Sequence, residues 1–170
     1  MTKPPKLSLD EQSNLNNRLL VAGFTGDTRT VRLLLAAGAN VHALDDWALR
    51  CAAYNGHTET VKVLLASGAN VHAQDDEPLR MAAQNGHTET VRGLARHIFA
   101  PDSWRGKSRA EIEAAANTLY DRIKVENPQP DRLQRAGTIL LDCALSCWEQ
   151  VRPAPPKLKI SPLPAQPRPL

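Results

Sequence analysis

Leucine, valine and alanine recur along the first hundred residues at the spacings of short amphipathic helices. In LRCAAYNG, residues 49–56, Leu49, Ala52 and Ala53 fall on one side of a helix, and Gly56 suits the left-handed residue that ends it. HTETVKVLLASG, residues 57–68, predicts a second helix with Val61, Leu64 and Leu65 inward, Thr58 as N-cap and Gly68 closing it. Alanines keep the first helix thin, so neighbouring backbones can approach closely. The ANVHAxDD segments between helix pairs predict a tight extended loop with nothing to bury.

The pattern then repeats. Val41 recurs as Val71, His42 as His72, Leu49 as Leu79, Gly56 as Gly86 and Val61 as Val91, a period of 30. Leu19, Ala22, Gly26 and Val31 occupy the same places one period earlier, giving three units, the first with a truncated leading loop. Thirty residues make one supersecondary unit but not one buried core, so the units must stack to complete each other's apolar faces.

The pattern decays at the end of unit three, where LARHIFAPDSW has Ala95 in place of a leucine and no closing glycine. Ser108 with Glu111 is a capping box opening a helix whose stripe is Ile112, Ala115, Ala116, Leu119 and Ile123. NPQPD, residues 127–131, breaks it. A last helix from about Arg132 to Gln150 aligns Leu133, Ala136, Leu140, Ala144 and Cys147. The simplest reading of this αα-hairpin is a cap on the open end of the stack; the alternative is a separate interaction or dimerisation module, toward which the broad apolar surface on 132–151 points. The expected divisions are a leader over 1–13 (with Leu7 and Leu9 against the first unit), repeats over 14–100, a junction over 101–108, the hairpin over 109–151 and a proline-rich basic tail over 152–170.

The string GHTETVKVLLASGANVHA, preceded by LRCAA and LRMAA, resembles the ankyrin repeat, and the resemblance covers about residues 16–98. It implies an all-α solenoid of helix–turn–helix units, here followed by the C-terminal hairpin. Ankyrin repeats usually open their first helix with Thr-Pro-Leu-His. Here Trp47-Ala48-Leu49-Arg50 and Glu77-Pro78-Leu79-Arg80 stand there, with the loop glycine also missing, so shorter fingers are expected. A Glu77–Arg80 pair could replace part of the lost bonding. The resemblance further implies a protein partner on the concave face: Leu44, Asp46, Trp47, Arg50 and Tyr54 in unit two, and Gln74, Asp76, Glu77, Arg80 and Gln84 in unit three. Trp47 either anchors such a partner or packs over its shortened finger.

Composition adds little to this picture. The net charge of +3 comes from residues 151–170, which carry four basic groups and no acid. A solubilising terminus explains that more simply than a nucleic-acid or lipid partner. PxxP at Pro164–Pro167 has the form that proline-recognising modules read, although a solubilising tail accounts for it too. Chemistry is sparse. His42, His57, His72 and His87 follow the repeat and do not converge on a metal. Asp45-Asp46 and Asp75-Asp76 are adjacent rather than opposed, and shape turns or present charge. Cys143 and Cys147 lack further zinc ligands. The expectation is a cytoplasmic, non-catalytic protein-binding module without cofactor, metal, small-molecule substrate or membrane span, acting as scaffold or inhibitor. The alternative is an adaptor that docks, or forms a homodimer, through its C-terminal helices.

Overall fold

A computed structural model describes residues 8–125 and 129–153; the expected leader up to residue 7, the 126–128 break and the tail from residue 154 lie outside the described residues. The described chain contains no strand. It forms α1 (Leu9–Thr25), α2 (Thr28–Ala36), α3 (Trp47–Tyr54), α4 (Thr58–Ala66), α5 (Ala73–Gln84) and α6 (Thr88–Ile98). A 3-10 turn at Pro101–Trp104 leads into α7 (Arg109–Val125) and α8 (Pro130–Val151).

The helices stack in two rows. In the first row α1 packs on α3, α3 on α5 and α5 on α7; in the second, α2 packs on α4, α4 on α6 and α6 on α8. The period of 30 becomes a ladder of identical core positions. Leu19, Leu49 and Leu79 are fully buried, with Val31, Val61, Val91 and Leu34, Leu64, Leu94 beside them. Hydrophobic burial of this kind is the main drive for stacking. Unit one lacks a predecessor among the described residues. Its Val21 and Leu33 are 63% and 62% exposed, whereas Val63, the counterpart of Leu33, is 8% exposed because α2 covers it.

Hydrogen bonds repeat with the core. His57 and His87 donate Nε2–H to the carbonyls of Phe24 (3.0 Å) and Tyr54 (2.9 Å) in the preceding unit. Thr28 and Thr58 meet the buried Thr60 and Thr90 of the following unit, hydroxyl to hydroxyl, at 2.8 Å. Thr58 is therefore not the N-cap: His57 holds that position without a side-chain bond, and the Thr58 hydroxyl is committed to the next unit. Close approach explains the glycine at the end of the first helix. Gly26 and Gly56 have φ of 74° and 75°, and an added Cβ would lie 2.5 Å from the rings of His57 and His87.

The fingers depart furthest from expectation. They are not extended: Leu44, Asp45 and Asp46 all have positive φ, as do Gln74, Asp75 and Asp76. Three left-handed residues in succession close the short loop without a glycine, and aspartate tolerates that conformation better than most residues. Nor is there nothing to bury, since Val41, Val71, Asp46 and Asp76 are all inside. Asp46 accepts from the Asn70 amide at 2.9 Å, as Asn16 does from Asn40 at 2.8 Å one unit earlier.

The hairpin continues the stack as a lengthened fourth unit, α7 taking a first-row place and α8 a second-row place. Its stripes, Ile112, Ala116, Leu119 and Ile123 on α7 and Leu133, Ala136, Leu140, Ala144 and Cys147 on α8, are buried within the chain. Where the earlier units use histidine, Arg132 donates to the Gln84 carbonyl at 2.6 Å and lies over Gly86. The junction closes with Trp104 donating to the Ile98 carbonyl at 2.8 Å while its ring rests 5.6 Å from that of Phe99. α8 begins at Pro130, before the expected Arg132, because proline suits the first helical turn.

α1 likewise begins inside the expected leader. Ser8 and Glu11 form a capping box, so the helix starts at Leu9, whose side chain points to solvent (88% exposed) and does not pack on the first unit. Ser108 and Glu111 form the same box on α7. In both, bonds from the serine N–H and hydroxyl hold the glutamate carboxyl below its ordinary range. A lowered folded pKa stabilises above the unfolded value, about 4.3, and that contribution is lost as pH falls through the folded value. The Ser8 and Ser108 amide NMR signals should therefore hold their positions above about pH 4.3 and shift below it, with the ends of α1 and α7 fraying.

Candidate functional site

The exposed side of α3 is built by a spacing of three and four residues. Trp47, Arg50 and Tyr54 line it from the first helical position to the last, with Leu44 on the finger before it. Trp47 is 42% exposed, and the Arg50 guanidinium lies 4.8 Å from its ring centroid. A cation over an aromatic face in a partly wet setting contributes about 0.5–1 kcal/mol.

Arg50 is fixed from the neighbouring unit. Its Nε donates to Glu77, the first residue of α5 after the left-handed run Gln74–Asp76, both side chains being largely buried. Glu77 is thus committed across units, and the local Glu77–Arg80 pair expected from the sequence does not form its ion pair. The missing tetrad is replaced by an inter-unit bond that no single unit could reveal.

The remaining candidates divide. Leu44 (68% exposed) and Tyr54 (51%) join Trp47 as an apolar surface. Gln74 is exposed and donates to Asp45 at 3.0 Å, tying adjacent finger tips together. Arg80 and Gln84 are half-buried on α5. Asp46 and Asp76 are only 5% and 1% exposed, so neither presents charge at the surface. Asp46 receives the His42 ring N–H and the Asn70 amide, and Asp76 receives His72 and Arg122. The exposed finger acids are instead Asp45 and Asp75. Sequence reasoning also missed Phe24, exposed on α1 in register with Tyr54. Their separation of 30 was the available signal.

Burial pushes the Cys51, Cys143 and Cys147 thiols up, which keeps them protonated and poor nucleophiles at neutral pH. Among the described residues, no three His, Cys, Asp or Glu side chains are placed to hold a metal ion. No described helix is long and apolar enough to cross a membrane. A cleft of about 650 Å³ opens between the finger of unit three and α7, over Val71, Trp104 and Leu119. Its buried acid, Asp76, is already bound by His72 and Arg122.

Comparison with known proteins gives one result that bears on the chain. The family model described as ankyrin repeats, three copies, matches residues 19–104. A search of curated proteins returned no match.

Proposed function

Since the chain belongs to the ankyrin repeat family, whose members are generally non-catalytic protein–protein interaction modules, we propose that it binds a protein partner on the face formed by its first-row helices and fingers, the concave face of such stacks. The observation that carries this reading is the Trp47–Arg50–Glu77 assembly. A large aromatic ring stands partly in solvent, supported from below by a cation that the next unit holds in place. Its orientation is set before any partner arrives, which reduces the entropy lost on binding. Leu44 and Tyr54 widen the apolar contact, and Gln74 braces the finger tip beside it. Aromatic residues next to arginine are the usual anchors of interfaces.

The partner would be held as on a scaffold or blocked as by an inhibitor. Docking through the C-terminal helices is less well supported, because the stripe that suggested it is covered by α6, α7 and the 3-10 turn. Leu141 is the large apolar side chain that α8 leaves exposed.

The test is capture of the partner from the native host, then measurement of its affinity. Trp47→Ala should weaken binding by about 30-fold, the loss expected for a central anchor costing about 2 kcal/mol. Thermal unfolding should change little, because the ring is not part of the buried core. Unchanged affinity in this variant would remove the assignment.

A further inference from the structure

We infer that the face carrying Trp47 and Tyr54 takes an extended, proline-rich, basic segment, and that residues 154–170 of this same chain occupy it. The inference rests on the proposed function, since it needs this face to be a binding surface, and it names the chemistry that the surface accepts.

Spacing is the first argument. Trp47 and Tyr54 sit at either end of α3 on one face, and seven residues of α-helix separate them by about 10 Å. A polyproline-II segment advances about 9.3 Å every three residues and presents the same edge again. Residues three apart in such a ligand therefore meet the two rings in turn, and aromatic surfaces are what proline-rich segments dock on. Pro164 and Pro167 have that spacing, within a stretch from Pro153 to Leu170 that contains seven prolines.

Charge is the second. Asp45 and Asp75 stand exposed on the finger tips beside this face, while the cation between the rings, Arg50, is already neutralised by Glu77. Residues 154–170 contain Lys157, Lys159 and Arg168 and no acid.

Reach is the third. Arg132 at the start of α8 lies over Gly86 before α6, and Ser146 and Gln150 near its end share a cleft with Arg96 and Phe99 at the end of α6. The two helices are therefore parallel, and α8 ends where the second-row helices of earlier units lead into fingers. Unit two lies two packing distances from unit four, about 20 Å at the usual helix spacing. The eleven residues from Pro153 to Pro164 span about 34 Å as polyproline II, which is sufficient. Tethering gives the segment a millimolar effective concentration, so modest contacts suffice to hold it.

The experiment compares the full chain with a full-length variant carrying Lys157→Glu, Lys159→Glu and Arg168→Glu. Each is titrated with a synthetic peptide of residues 154–170, read by the backbone amide signals of residues 44–47 and 74–77. The peptide should shift these signals in the charge-reversed variant and bind the unaltered chain at least tenfold more weakly, because its own tail holds the site. Adding Asp45→Asn and Asp75→Asn, or Trp47→Ala, to the charge-reversed variant should weaken binding at least fivefold. Unmoved signals, or equal binding to both chains, would overturn the inference, as would tail occupancy that rises with protein concentration. Partner capture separates this claim from the reading beneath it. Capture lost with Trp47→Ala, together with a peptide that does not bind, defeats the tail assignment alone; capture indifferent to Trp47→Ala defeats the partner reading, and with a peptide that does not bind it defeats both.

Discussion

Asp46→Ala should lower the free energy of unfolding by about 2–4 kcal/mol, although the side chain belongs to no helix interior. Two costs combine. The buried carboxylate accepts the Asn70 amide and the His42 ring N–H, and its removal takes from the next finger a charge-assisted bond to its backbone. In addition, Asp46 has φ of 57°, a left-handed conformation that alanine tolerates less well than aspartate or asparagine. Asp46→Asn separates these effects from simple loss of charge. Asparagine keeps an acceptor for the amide and tolerates the backbone, so it should cost less than about 1 kcal/mol. The first unit already uses it, since Asn16 accepts from Asn40 at the same place in the repeat. Urea denaturation of the two variants checks the pair of outcomes, and equal losses would show that the charge, not the acceptor, is what the finger needs.

Gly56→Ala should be comparably severe, at about 2–4 kcal/mol. With φ at 75°, any side chain there adds strain of about 1–2 kcal/mol. The new Cβ also meets the His87 ring at 2.5 Å, so the ring must move and its bond to the Tyr54 carbonyl is lost. The two contributions can be resolved. In a Gly56→Ala, His87→Ala double variant the clash is gone but the backbone strain remains. The double variant should thus be more stable than the sum of the single losses predicts by about 1–2 kcal/mol. Additive losses would mean that the ring is not clamped over the glycine.

Much of the fold was legible because its causes are periodic and local. Leu49, Ala52, Val61 and Leu64 announce their helices by spacing, and their recurrence after 30 residues announces the stack. The fingers were not legible. A run of Ala-Leu-Asp-Asp carries no glycine to signal left-handed geometry, and what stabilises it is an amide in the next unit. That distance also hid the roles of the acids. Asp45 and Asp46 look alike in sequence, yet one is exposed and the other buried. The binding face was half legible. Trp47 stood out as a large ring that no stripe required, but its support from Arg50 depends on Glu77 across a unit boundary. The hairpin was found as two helices and not as a fourth unit, because its lengthened helices break the period while preserving the packing.

The bonds between units also determine how a protein of this kind can grow. In the first three units the bonds that repeat join residues 24, 32 or 33 positions apart, with the same offsets from one unit to the next. A duplicated 30-residue segment spliced between them would find its acceptors waiting on one side and offer the same acceptors on the other. At the C-terminal end the offsets become 46 and 48, set by Arg122 and Arg132, and neither helix of the hairpin presents that pattern again. Lengthening by duplication is therefore open within the repeats and closed beyond them. The two arginines mark the place where copying stops being enough and a bespoke ending begins.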